Sequence, residues 1–88
     1  MAHVVLPRSL IALFPGAPRR MDVDDAATVA ELIARLDARW PGLADRLCDA
    51  GPVLREYINV FVDGERADLA SGLGPEAVVH VLPAVAGG

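Results

Sequence analysis

The chain has 88 residues, of which 12 are acidic and eight basic, giving a formal charge of −4 and an isoelectric point near 4.9. Hydrophobic residues make up 53% of it, but 15 of them are alanine, so it can fill one small core and no second. That content excludes a disordered chain, and a basic cluster no larger than Arg19-Arg20 excludes the electrostatic footprint of a nucleic-acid binder.

The longest stretch free of both charge and strong polarity, Leu10 to Pro18, contains Pro15 and Gly16 and falls well short of the roughly 18 apolar residues of a membrane span. The opening residues lack the basic and apolar regions of a secretory signal, so a soluble, cytoplasmic protein is expected. His3-Val4-Val5-Leu6 is a β-branched run stopped by Pro7 and predicts a short strand. Leu10 to Phe14 fits a strand end, a helical turn or a buried loop, and the Pro15-Gly16-Ala17-Pro18 run breaks it. Arg20 to Asp24 alternates polar with apolar, as a half-buried strand paired with the first one would.

The main helix is the clearest element. Thr28-Val29-Ala30-Glu31 has the spacing of a capping box, in which Thr28 accepts from the Glu31 N–H and the Glu31 carboxylate returns to the Thr28 N–H. Val29, Leu32, Ile33, Leu36 and Trp40 then recur on one face, and Pro41-Gly42 ends the helix. Asp24 and Asp25 precede its positive end, while Arg35 and Arg39 are expected near its negative end. Leu43 to Leu47 predicts one more helical turn, and Asp49-Ala50-Gly51-Pro52 a loop.

Tyr57 to Val62 is the strongest strand, and Asp63-Gly64 the strongest hairpin turn, leading to a partner over Glu65 to Asp68. A last strand covers Val78 to Leu82. Alternation puts Ile58, Val60, Val62, Val79 and Val81 on one face, leaving Phe61 and Leu82 on the other. A register slip of one residue would reverse that assignment and turn Leu82 into the core. Two strands, a helix and further strands describe an α+β domain, a mixed sheet of four to five strands with one main helix across one face.

No active site emerges. Gly72-Leu73-Gly74-Pro75-Glu76-Ala77 has dinucleotide-loop spacing but is followed by a strand, so a turn is the better reading. His3 and His80 lack further ligands at metal spacing and read as surface histidines, so no metal site is assigned. Cys48 has no neighbouring base and reads as a small, partly buried thiol. The cluster Asp22, Asp24 and Asp25 suits a solvated turn before a helix, and no nucleophile–base pair stands out.

The chain ends instead in Leu82-Pro83-Ala84-Val85-Ala86-Gly87-Gly88, uncharged up to its carboxylate. Two residues without a Cβ can enter a channel where side chains would clash. Extended, the six residues after Leu82 span at most about 20–22 Å. The expected division is therefore a domain over residues 1–82 and a flexible tail over residues 83–88.

With the helix from Thr28, the strand Tyr57 to Glu65 and this ending, the chain resembles the ubiquitin-like β-grasp sulfur carriers. That family includes the small subunit of molybdopterin synthase, the thiamine-pathway carrier and, with the most similar ending, the actinobacterial carrier of cysteine synthesis. It departs from them at Gly74-Pro75-Glu76-Ala77, where the family carries Asp-Gly-Asp.

The resemblance implies a protein that is no enzyme and binds no cofactor. A partner resembling the ubiquitin-activating enzymes spends ATP to adenylate the Gly88 carboxylate. A sulfur donor then converts it to a thiocarboxylate, which a biosynthetic enzyme accepts. It implies that Gly87 and Gly88 enter the partner, that Leu82, Pro83 and Val85 contact it, and that the free chain is a monomer; alternation along the strand adds Phe61 to the docking contacts. The alternative is a ubiquitin-like modifier joined through Gly88 to lysines of target proteins. This chain has no lysine and could not form side-chain-linked polymers of itself, which favours the carrier. An interaction module with an incidental Gly-Gly end is a third class.

Overall fold

The β-branched run near the amino end forms strand β1, Ala2–Val5, one residue earlier than the sequence suggests. In the computed structural model, which describes residues 1–83, Pro7 caps a four-residue helix, α1, Arg8–Ile11. Proline is tolerated there because its missing N–H falls where a helix has no acceptor for it. This resolves the ambiguous stretch as a helical turn whose Leu10 is buried. Strand β2, Arg20–Val23, returns antiparallel to β1.

Helix α2, Val29–Arg39, follows, with Val29, Leu32, Ile33 and Leu36 buried. Trp40 lies just past the helix as its carboxyl-terminal cap and is half-buried against the core. The Thr28 hydroxyl accepts from the Glu31 N–H at 3.2 Å, as expected. The other half of the box differs: the Glu31 carboxylate accepts from the Thr28 hydroxyl at 3.3 Å. A loop supplies further acceptors for the helix start. Val29 N–H donates to the Ser71 carbonyl and Ala30 N–H to that of Leu69, each at 3.0 Å, satisfying donors that a helix start leaves orphaned. Arg35 also departs from expectation, reaching back to the Asp25 carbonyl rather than serving the far end.

Helix α3, Leu43–Leu47, is started by the Asp37 carboxylate, which accepts from the N–H groups of Gly42 and Ala44. The segment read as a loop is a small hairpin, with β3, Cys48–Asp49, paired to β4, Val53–Leu54. Strand β5, Ile58–Val62, turns through Asp63 and Gly64 into β6, Glu65–Ala67. Both turn residues have positive φ, 50° and 85°, as a type I′ turn requires. Strand β7 covers Val78–Pro83, so Pro83, expected with the tail, is its last residue.

The main sheet has five strands in the order β2-β1-β7-β5-β6. The β1–β7 pair is parallel and the other pairs antiparallel, which makes it a mixed sheet. Val4, Val23, Val60, Val79 and Val81 meet Leu32, Leu36, Leu43 and Leu47 from the helical layer in one core. Among the described residues no helix is long and apolar enough to cross a membrane.

Candidate functional site

One face of the sheet is covered by helices; the other is open. The open face carries alternate residues of each strand, and their register is now explicit. Phe61 stands opposite His80, and Asn59 opposite Leu82, across the β5–β7 pair. On the other side of β7, Val5 pairs with His80 and His3 with Val78. Leu82 is 43% exposed, so the register that would bury it is not the one adopted. Phe61 and Val5 are half-buried but lie outside the core cluster. Among the described residues no second layer packs over them.

Pro83 is exposed opposite Ile58 and is the last described residue. Leu82, Phe61 and Pro83 therefore lie on two neighbouring strands, close to where the chain leaves the sheet. The other expected site residues, Val85, Gly87 and Gly88, lie outside the described residues. Tyr57, at the amino end of β5, is also strongly exposed at this end of the sheet.

His3 does more than an isolated surface histidine would. Its Nδ1 lies 2.6 Å from an Asp22 carboxylate oxygen and its Nε2 lies 2.7 Å from one of Glu76. A neutral imidazole has one N–H donor, so two carboxylate contacts are both satisfied only by the imidazolium. The hydrogen bonds to Glu76 first, then Asp22, accordingly raise the His3 pKa above its ordinary 6.5. This clamp ties β1 and β2 to the turn before β7. Pattern reading missed it because Glu76 is 73 positions from His3.

Gly72 and Leu73 belong to the loop beneath α2: Gly72 bridges Thr28, and Leu73 N–H donates to the Ala27 carbonyl at 2.8 Å. Gly74 to Ala77 is a turn closed by the Ala77 N–H on the Gly74 carbonyl. No βαβ crossover surrounds it, so the dinucleotide reading has no structural footing. Cys48 is half-buried in the wall of a largely apolar groove of about 410 Å³ between α2, α3 and the β3–β4 hairpin. Burial pushes its thiol pKa up, making it a poorer nucleophile. Among the described residues no group of three or more His, Cys, Asp or Glu is placed to hold a metal ion.

The site is thus a sheet face on which Val5, Phe61 and Leu82 lie among polar side chains, beside the last described residues of β7. Such a surface can bind a partner. Comparison with known proteins agrees with that character. The ThiS family profile matches residues 12–88. Small archaeal modifier protein 3 of Haloferax volcanii is 39% identical over 70 residues, 75% of each chain. Sulfur carrier protein CysO of Mycobacterium tuberculosis is 33% identical over 67 residues, 69% of this chain and 72% of that one. Among solved structures, the BexX/CysO complex of Amycolatopsis orientalis contains a chain that superposes with a TM-score of 0.85 at 28% identity, covering 100% of both.

Proposed function

The chain belongs to the ThiS family of small ubiquitin-like carriers and modifiers, and on that premise we propose that it carries sulfur as a thiocarboxylate on Gly88. The observation that carries this reading is the open face of the sheet, where β7 ends at Leu82-Pro83 with Gly87 and Gly88 four and five positions beyond Pro83. The domain over residues 1–82 docks, and residues 83–88 deliver the carboxylate. Leu82, Phe61, Pro83 and Val85 are the docking contacts.

A carboxylate is a poor electrophile because its charge is shared by two oxygens. In this reading an adenylating partner lets the Gly88 carboxylate attack the α-phosphorus of ATP, expelling pyrophosphate. Sulfur at the oxidation level of sulfide then attacks the acyl-adenylate and expels AMP. The resulting thiocarboxylate is a nucleophile that an acceptor enzyme uses directly, without free sulfide. The ATP belongs to the partner, and this chain binds no cofactor and performs no catalysis itself. It works in the cytoplasm, as a monomer between encounters.

The ending Leu82 to Gly88, most similar to that of the cysteine-synthesis carriers, together with the identity to sulfur carrier protein CysO, favours cysteine synthesis as the destination. A second reading, conjugation to target lysines, is favoured by the identity to an archaeal modifier. Both begin with the same adenylate and part at the acceptor. The test is intact mass after incubation with ATP, an adenylating enzyme of the family and a sulfide-level donor. Exchange of one oxygen for one sulfur is expected, and deletion of Gly88 or extension past it should abolish the exchange with melting unchanged. An unchanged wild-type mass, with an adenylating enzyme active on another carrier, refutes the carrier reading.

A further inference from the structure

The open face of the sheet is electrically divided. Its register sets Arg20, Val5, His80, Phe61 and Arg66 in one row across all five strands. Arg20 and Arg66 end this row, about 19 Å apart at the usual strand spacing. Both are exposed, and among the described residues neither has a carboxylate within salt-bridge distance. Arg66 is steadied on this face by donating from Nη2 to the Asn59 side-chain oxygen at 2.9 Å. One row farther from the end of β7 the sign reverses: Asp22 and Glu76 flank His3 there. A chain of net charge −4 therefore keeps two cations without salt bridges around Phe61 and Leu82, with Glu56 and Asp68 in the edge hollow beside Arg66 but beyond salt-bridge distance of it.

We propose that this division orients docking: the partner is a protein surface whose apolar patch is flanked by carboxylates on the side of its reacting centre, and Arg20 and Arg66 bracket that patch. The inference rests on the carrier reading. Five residues follow Pro83 and span at most about 18 Å, so the reacting centre must lie close to this end of β7. Apolar burial is non-directional and would accept the face turned end for end, with the chain end pointing away from the centre. Opposed charges remove that degeneracy. Arg20 and Arg66 are attracted in the productive pose, and in the reversed pose Asp22 and Glu76 would face the partner's carboxylates.

The test compares the full chain with Arg20→Glu/Arg66→Glu, and with Arg39→Glu/Arg46→Glu as a control of equal charge change on the helical layer. The probe is the adenylating enzyme that converts Gly88 of the wild type in the mass assay. Association of the face variant should slow at least about tenfold at low salt relative to the control. The gap should close as salt screens it. Equal association of variant and control overturns this inference and leaves the carrier reading standing; failure to convert the wild type overturns both. Melting of each variant is measured alongside, and if the double variant does not fold, Arg20→Gln and Arg66→Gln carry the same comparison with the same two outcomes.

Discussion

The two faces of the five-stranded sheet use the same strands for opposite ends. On the helix-covered face, Val4, Val60, Val79 and Val81 are almost wholly buried. On the open face, Val5, Phe61, His80 and Leu82 alternate with them along the same strands and remain partly or largely exposed. Neighbouring residues of one strand thus answer to different demands, one to stability and the next to recognition. In the proposed reading, the apolar side chains kept among polar neighbours on the open face are the ones a partner would cover.

The sharpest way to break the comparison is from the covered side. Leu36 is fully buried beneath the sheet. Leu36→Ala should cost about 2–5 kcal/mol by lost burial and the cavity it leaves. A chain of this size is worth only about 4–13 kcal/mol in total, so this one change should remove a large share of the stability and lower the melting temperature by at least about 8 °C. Thermal or urea unfolding measures it; a loss below about 0.5 kcal/mol would mean that α2 does not close the core.

From the open side the effects should invert. Leu82→Asp should weaken partner binding by at least about tenfold, since burying such a side chain is worth about 1.5–3 kcal/mol and about 1.4 kcal/mol is a factor of ten. Its melting temperature should hardly move, because the side chain is already exposed. Affinity and melting measured on one preparation separate the two. Unchanged affinity would remove Leu82 from the docking surface, and a large stability loss would reverse the assignment of faces.

Legibility in the sequence follows how local each determinant is. The Tyr57 to Val62 alternation and the Asp63-Gly64 turn lie within a few residues of each other; the turn formed as read and the strand did so from Ile58, leaving Tyr57 just outside it. The core face of α2 was equally local, apart from Trp40, which lies just past the helix. The β3–β4 hairpin was not legible: two-residue strands show no period, and Gly51-Pro52 between them signals only a turn. Leu10 to Phe14 stayed ambiguous because a four-residue helix shows barely one turn of pattern. Phe61 and Leu82 could be placed on the open face by alternation alone. The row from Arg20 to Arg66 could not, because it joins strands whose register no local pattern states.

The smallest effect tests the acidic half of the open face, where His3 sits between Asp22 and Glu76. Its pKa is raised in the fold, chiefly by the hydrogen bond to Glu76 and then by that to Asp22. The folded state therefore holds this proton more tightly than the unfolded chain does. Stability from the clamp is fully present below the ordinary value of 6.5 and drains away as pH rises through the higher folded value. Above that, the neutral ring donates to one carboxylate and turns a lone pair toward the other. The groups facing the ring are those two carboxylates, and both are largely exposed, so solvent keeps the effect small. His3→Gln keeps a donor but cannot carry the charge. Urea unfolding of wild type and variant should differ most in mildly acidic buffer and converge in alkaline buffer. A gap that stays constant across that range would mean the ring packs against its neighbours without holding the extra proton, and the clamp would then be steric rather than ionic.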